Sequence, residues 1–348
     1  MNRIYLLDIA RGVAALAVAI FHYKLFYSYN ISLNGYNIES QPFYNIIKII
    51  YEYGWIAVQF FFLLSGFIFF KLYFKIVNER KISLNKFIIL RISRLYPLHF
   101  LTLFLVFIIF LMLKFNNFYN PINVDLKHLI LNLLLIHEWG LKSFASFNEP
   151  SWSISIEFLM YLIFFLIALN KNIILNSTII IIISSLIFFK YKYIGYGGYC
   201  FFVGGLSYLL NQKFKLNDNY KIFYLIIIIL LFSLFLKITN FDTIVQKIIL
   251  LTFIFPSVIN CLFLINNKFP DAGKNLSILG DISYSIYLLH FPVILITLLI
   301  FNFFNLKVDF NLPVFFASYL IITIFISIFI YKFFETPLKN KIRIKFLT

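Results

Sequence analysis

The residues of this chain best suited to chemistry sit where charge is least welcome. The stretch LLDIARGVAALAVAIFHYK, residues 6–24, is apolar enough to cross a bilayer, yet it carries Asp8, Arg11 and His22. A central Arg or Asp costs about 2.5–3.5 kcal/mol in such a helix, so something must compensate for each. At 100° per residue Arg11 and His22 differ by about 20°, and Asp8 and His22 by about 40°, which puts all three on one face. Ala14, Ala15 and Val18 share that side, and side chains this small allow close helix packing or a narrow cavity. His22 lies about 16 Å beyond Arg11 along the axis. An imidazole there suits acid–base or nucleophilic work near neutral pH. A local reading is equally open: Asp8 and Arg11 pair at i,i+3 to secure the helix end, and His22 sits in the outer interface.

Two further groups bear on that choice. In NEPSWSISIEFLMYLIFF, residues 148–165, Glu157 lies well inside a second apolar segment. A carboxylate at the depth of His22 could fix its tautomer and stabilise its protonated form; alternatively Glu157 is structural and bonds to Ser151, Ser153 or Ser155. In LRISRLYPLHF, residues 90–100, Arg91 and Arg94 stand at i,i+3. Paired guanidiniums suit phosphate groups, which they hold bidentately, although basic anchoring at a membrane edge explains the pair as well.

The elements that must position these groups are membrane helices. Of 348 residues 62% are hydrophobic, 21% aromatic and only 13% charged, with a mean hydropathy of +0.91. Such values exclude an ordinary soluble globule of about 25% charged residues. The net charge of +16 is scattered between apolar segments, which argues for membrane topology and against a nucleic-acid partner. Runs long enough to span about 30 Å of hydrocarbon fall near 5–23, 54–74, 95–115, 151–169, 172–189, 195–211, 220–238, 245–265, 283–303 and 313–334. The sequence therefore predicts an all-α bundle of about ten transmembrane helices.

The loop 71–94 carries Lys71, Lys75, Arg80, Lys81, Lys86, Arg91 and Arg94 against Glu79, which assigns it to the cytoplasm. Both termini then fall there too, including the basic tail KNKIRIKFLT. The segment 125–139, with His128 and His137, is too short to span and reads as an external interfacial or re-entrant piece. Asp8 and Arg11 interrupt the first apolar run, so it is not read as a cleaved signal peptide. One membrane-embedded domain over 1–340 and a short basic tail over 341–348 are expected. Cys200 and Cys261, isolated in apolar segments, form no disulfide framework or metal-ligand spacing and read as core residues; no metal is expected.

Taken together the motifs resemble the acyltransferase 3 family of integral membrane acyltransferases. The likeness covers nearly the whole chain: LDIARGVAALAVAIFHY with its Arg, ten residues, then His; GWIAVQFFFLLSGFIFF; RISRLYP; PSWSISIEFLMYLIFF; LGDISYSIYLLHFPV; and FFETPLK, in that order. The resemblance implies transfer of an acyl group, often acetyl, from cytoplasmic acyl-CoA to a hydroxyl of a carbohydrate such as lipopolysaccharide O-antigen or an exopolysaccharide. The setting it implies is the inner membrane of a bacterium, with lipid and a lipid-linked glycan as partners.

Carried over motif by motif, His22 is the catalytic histidine, Arg11 its partner, Glu157 the acidic residue after the Ser-Trp motif, and Arg91 and Arg94 bind the coenzyme. His290 in YLLHFP matches a recurrent family histidine whose role stays open between structure and site, and Glu335 is expected to cap or pair at the end of the last span. Gln59 departs from the family, where many relatives carry Asp or Glu, and weakens any essential carboxylate there. With the chain ending soon after FFETP, no fused second transferase is expected. The main alternative is a transporter or flippase for a lipid-linked glycan or small anion, with its intramembrane charges lining a path. An inactive sensor or scaffold is a third.

Overall fold

Helices account for the fold because lipid offers the backbone no partners, so each segment must satisfy its own N–H and C=O groups. The computed structural model describes residues 3–28, 36–115, 123–141, 146–214, 217–238 and 244–347. Residues 29–35 of the aromatic-rich stretch after the first span, and 116–122 of the loop expected outside, lie beyond the described residues. In chain order the main helices are α1 (Tyr5–Phe21), α2 (Tyr44–Tyr53), α3 (Ile56–Asn78), α4 (Leu84–Phe115), α5 (Leu126–Leu133), α6 (Trp152–Ala168) and α7 (Ile173–Ile187). They continue as α8 (Lys192–Lys213), α9 (Asp218–Ile238), α10 (Ile244–Ile249), α11 (Phe255–Lys268), α12 (Ser283–Phe303), α13 (Pro313–Ile330) and α14 (Thr336–Leu347). Among the described residues no strand is present beyond one isolated bridge, Asn123 to Ser146.

Seven stretches among the described residues are long and apolar enough to cross a membrane: Tyr5–Ser28, Ile56–Asn78, Leu84–Met112, Glu149–Ala168, Ile244–Lys268, Ser283–Phe303 and Pro313–Leu347. The other three expected spans coincide with α7, α8 and α9. Helix α7 is apolar but only 15 residues long, and α8 is diluted by Gly195, Gly197, Gly198, Gly204 and Gly205. The 125–139 segment forms the eight-residue α5, which at 1.5 Å per residue is about 12 Å long and cannot span. Asp125 caps it by accepting from His128 N–H at 2.9 Å, and Leu135 closes it with a φ of 58°.

Proline shapes two of the long stretches. Leu250–Ile254 and Tyr331–Glu335 are π-helical, and each is followed two residues on by a proline, Pro256 and Pro337. Proline lacks an N–H and crowds the carbonyl four residues back, and one widened turn relieves both conflicts. The extra residue turns Glu335 inward. It is buried and its Oε2 accepts from Ser285 Oγ at 2.8 Å, so it ties α12 to the last span instead of capping an exposed end.

The contacts gather into two compact units. The first comprises Met1–Ala14, Val58–Leu84 and Ile156–Asp281; the second comprises Ala15–Ala57, Asn85–Ser155 and Ile282–Thr348. In the first unit α3 and α8 cross backbone to backbone: a Cβ on Gly66 would lie 1.8 Å from the Phe201 carbonyl oxygen, and one on Gly204 2.0 Å from that of Leu63. Small residues are what let membrane helices approach so closely. Aromatic rings fill the surrounding layer, with Phe69 stacked on Tyr161 at 4.1 Å. Cys200 is free and buried there, as is Cys261. The second unit is built on a separate aromatic core that includes Tyr23, Phe26, Phe147, Phe291, Phe310 and Tyr319.

The α3–α8 crossing separates two neighbouring glycines. At Gly205 an added methyl meets only the edge of the Phe70 ring, whereas at Gly204 it meets main chain. Gly204→Ala should therefore destabilise the protein more than Gly205→Ala, by about 1–3 kcal/mol as overpacking generally does. Thermal unfolding in detergent, read by size exclusion, checks the order.

Candidate active site

The second unit contains the pair best placed for proton chemistry. Helix α1 ends at Phe21 and the chain tightens into a 3₁₀ turn over His22–Lys24. His22, partly buried at that junction, sets its Nδ1 2.9 Å from Nε2 of His290. The rings are nearly parallel, 8° apart with centroids 5.0 Å apart. His290 is fully buried on α12, and its Nδ1 lies 3.1 Å from the carbonyl oxygen of Ile286 one turn back.

These contacts fix where the protons sit. A carbonyl only accepts, so His290 Nδ1 must carry hydrogen; in the neutral ring Nε2 is then a lone pair. That lone pair accepts from His22 Nδ1–H, which leaves the lone pair of neutral His22 on Nε2. The backbone of α12 thus sets the tautomer of a partly accessible imidazole and makes Nε2 its basic, nucleophilic nitrogen.

His290 is itself held by the PSWS motif. Asn148 Nδ2 donates to the Leu288 carbonyl at 3.0 Å, and Tyr287 Oη donates to the Pro150 carbonyl at 2.8 Å. With its single hydrogen committed, Tyr287 accepts from Ser153 Oγ at 2.7 Å. Nearby, His99 and His137 stack with rings 3° from parallel, and His99 Nε2 faces the Asn132 carbonyl at 2.9 Å. On α1 itself, the Ala19 carbonyl accepts from Tyr319 at 3.2 Å, which secures the turn before His22.

Arg91 and Arg94 also belong to the second unit, on α4. Arg91 is only 6% exposed, and its guanidinium carbon is 5.8 Å from the Phe87 ring centroid. A membrane-edge anchor would extend into water; a buried guanidinium must instead be met by protein or by ligand. Arg94 is partly buried.

The first unit holds the remaining expected residues. Asp8 accepts from Arg3 Nε at 2.6 Å and from Arg11 at 3.0 Å. Arg11 also donates to the Gly280 carbonyl at 2.9 Å, and Arg3 continues to Asp281 at 2.7 Å. The i,i+3 pair expected from sequence is present, inside a larger network. A Cβ on Gly280 would lie 2.4 Å from Cβ of Asp8, so glycine is what admits its carbonyl to Arg11. Glu157 is partly buried, and its Oε1 accepts from Ser65 at 2.5 Å and from Tyr161. Neither donor is among the three serines considered from sequence. Ser151 meets His137 at 3.3 Å and Ser155 donates to the Leu135 carbonyl at 2.8 Å, while Ser153 serves Tyr287.

Sequence reasoning singled out His22 but left its Nδ1 partner open. The signal for His290 was a histidine inside a long apolar run, which is by default a functional candidate. Tyr161 was readable as the i+4 neighbour of Glu157. Ser65, ninety-two residues away from Glu157 in sequence, carried no such signal.

Comparison with known proteins agrees with the motifs. The acyltransferase 3 family, described as an acyltransferase domain, matches residues 4–332. Acyltransferase MdmB of Streptomyces mycarofaciens is 36% identical over 113 residues, 32% of this chain and 27% of that protein, so the matched part spans about a quarter of the relative's length. No solved structure matches. With a match running from the start of α1 into the last span, the chain belongs to the acyltransferase 3 family.

Proposed function

We propose that the chain is an integral membrane O-acyltransferase of a bacterial inner membrane. It moves an acyl group, acetyl first among the candidates, from cytoplasmic acyl-CoA to a hydroxyl of a carbohydrate acceptor such as lipopolysaccharide O-antigen or an exopolysaccharide. The observation that carries this reading is the His22–His290 hydrogen bond, because it leaves a lone pair on Nε2 of a partly accessible imidazole. In the proposed topology ten spans leave both termini in the cytoplasm, where the basic loop 71–94 also lies.

In the direct route His22 Nε2 takes the proton of the acceptor hydroxyl as its oxygen attacks the thioester carbonyl carbon. The carbon–sulfur bond breaks, and the departing thiolate recovers the proton from the imidazolium. Throughout, His22 Nδ1–H stays on the neutral His290, which holds the ring in register. In the covalent route Nε2 itself attacks the carbonyl carbon, releases the thiol and passes the acyl group on. Arg91 and Arg94 hold the coenzyme phosphates, a role supported by the burial of Arg91. Arg11 anchors the start of α1 through Asp8 and Gly280. Glu157 enters as a catalytic residue through its motif alone.

Three measurements test this. Membranes containing the chain should release free thiol from acetyl-CoA and form a new acyl ester on surface glycans, seen by mass spectrometry with and without the gene; no new ester would sink the proposal. His22→Ala should lower transfer about 10²- to 10⁴-fold with coenzyme binding intact. His290→Leu should cost about 10- to 100-fold, and His290→Gln, whose amide oxygen can still accept from His22, should recover part of that loss; a purely packing role would give Leu and Gln in the opposite order.

Arg91→Lys keeps the charge and loses the fork. It should raise KM for acetyl-CoA about tenfold with little change in kcat, the signature of lost uniform binding.

A further inference from the structure

In the first unit α8, α9 and α11 line an open cavity of about 350 Å³ that takes no part in the chemistry above. That volume is within the usual range for a small-molecule site. Its wall is mostly apolar, formed by Leu210, Phe214, Leu225 and Ile228, and one end is polar, formed by Asn211, Lys221 and Asn260.

The polar end is incompletely satisfied. Asn211 Nδ2 donates to Asn260 Oδ1 at 2.7 Å, and Asn260 Nδ2 donates to the Pro256 carbonyl at 2.8 Å. This chain fixes both amide orientations and leaves Asn211 Oδ1 as a buried acceptor with no donor among the described residues. Lys221 is largely buried, donating to the Asn211 carbonyl at 3.1 Å and lying 3.7 Å from Asp218. An ammonium has three hydrogens to give, so it retains capacity for an anion. Lys268 is close by, bonded to Asn219 at 3.0 Å, and Lys213 ends α8. Positive charge therefore dominates this rim.

Depth narrows the choice of ligand. Helix α8 ends at Lys213 and α9 begins at Asp218, so Lys221 sits within a turn of the helix ends, which the ten-span topology proposed above puts at the level of lipid headgroups. From Lys221 to Ile228 the wall runs about 10 Å along α9, into the level of the acyl chains. The occupant must combine an alkyl chain and an anionic group. A zwitterionic amine headgroup would bring a second ammonium against Lys221, whereas a glycerol headgroup leaves the phosphate as its one charge.

We propose that this cavity is a binding site for an anionic glycerophospholipid, its phosphate on Lys221 and an acyl chain along α9. The site is independent of the catalytic reading. The topology proposed above assigns it to the cytoplasmic leaflet.

The full chain, delipidated in dodecyl maltoside, would be titrated by native mass spectrometry with dioleoylphosphatidylglycerol and, separately, dioleoylphosphatidylcholine. One phosphatidylglycerol should bind about fivefold or more tightly than phosphatidylcholine, as the attraction of one lysine to a net negative headgroup at a membrane surface implies. Lys221→Gln should remove that preference, and Leu225→Trp, which fills the cavity, should weaken phosphatidylglycerol binding itself. Equal binding of the two lipids by the wild-type chain would overturn the proposal whatever the variants do, as would unchanged binding in both variants. Displacement by oleate would give the cavity to a free fatty acid, and displacement by acetyl-CoA would give it to the coenzyme; either result overturns the phospholipid assignment.

Discussion

Inside a bilayer every hydrogen-bonding group must be answered by the protein, because no water stands ready to do so. The ionisable residues of this chain show how that requirement is met. Asp8 lies between Arg3 and Arg11, Glu157 takes hydroxyls from Ser65 and Tyr161, and Glu335 takes one from Ser285. The two glycine contacts follow from the same demand for proximity. Gly280 lets a carbonyl reach Arg11, and Gly66 and Gly204 let α3 and α8 close until main chain meets main chain. Removing a polar group from this setting strands its partner, and that penalty exceeds the net worth of the bond itself.

The His22–His290 contact obeys the same rule with a different result. A carboxylate paired with a guanidinium fixes charge, since one only accepts and the other only donates. Imidazole does both, so a chain of imidazoles has a direction, and its end determines what its beginning can do. Here the end is the Ile286 carbonyl on α12. An irregular loop could offer that carbonyl only loosely. A carbonyl in a helix holds its line within tenths of an ångström, which is why chemistry is better supported on rigid elements than on flexible ones.

Much of this was legible in the sequence. Helical class follows from hydropathy alone, and the seven apolar stretches all fall on expected spans. Helices α7 and α8 mark the limit of that reading, because a short helix or a glycine-rich one is recognised by its neighbours and not by its own composition. His22, Arg91 and the Asp8–Arg11 pair were visible because charge is rare in such segments. Position along a helix is a local property; contact is not. That His290 would meet Nδ1 of His22 depends on two segments separated by 268 residues, and periodicity carries no information across such a gap. Glu335 shows the same limit on a smaller scale. Its motif placed it at a helix end, but the π-turn ahead of Pro337 rotated it inward, and one residue of register is beyond what a hydropathy pattern can specify.

The choice of an imidazole for the inner partner has a physical logic in a membrane. A carboxylate in that position would orient His22 equally well and would stabilise its protonated form more strongly, but it would bring a permanent negative charge into an apolar core. Such a charge needs several donors of its own, as the two hydroxyls gathered on Glu157 illustrate. A neutral imidazole needs one acceptor, and the helix behind it already provides one. The arrangement therefore trades electrostatic strength for a lower desolvation cost while keeping the directional control that the proposed proton transfer at His22 Nε2 requires.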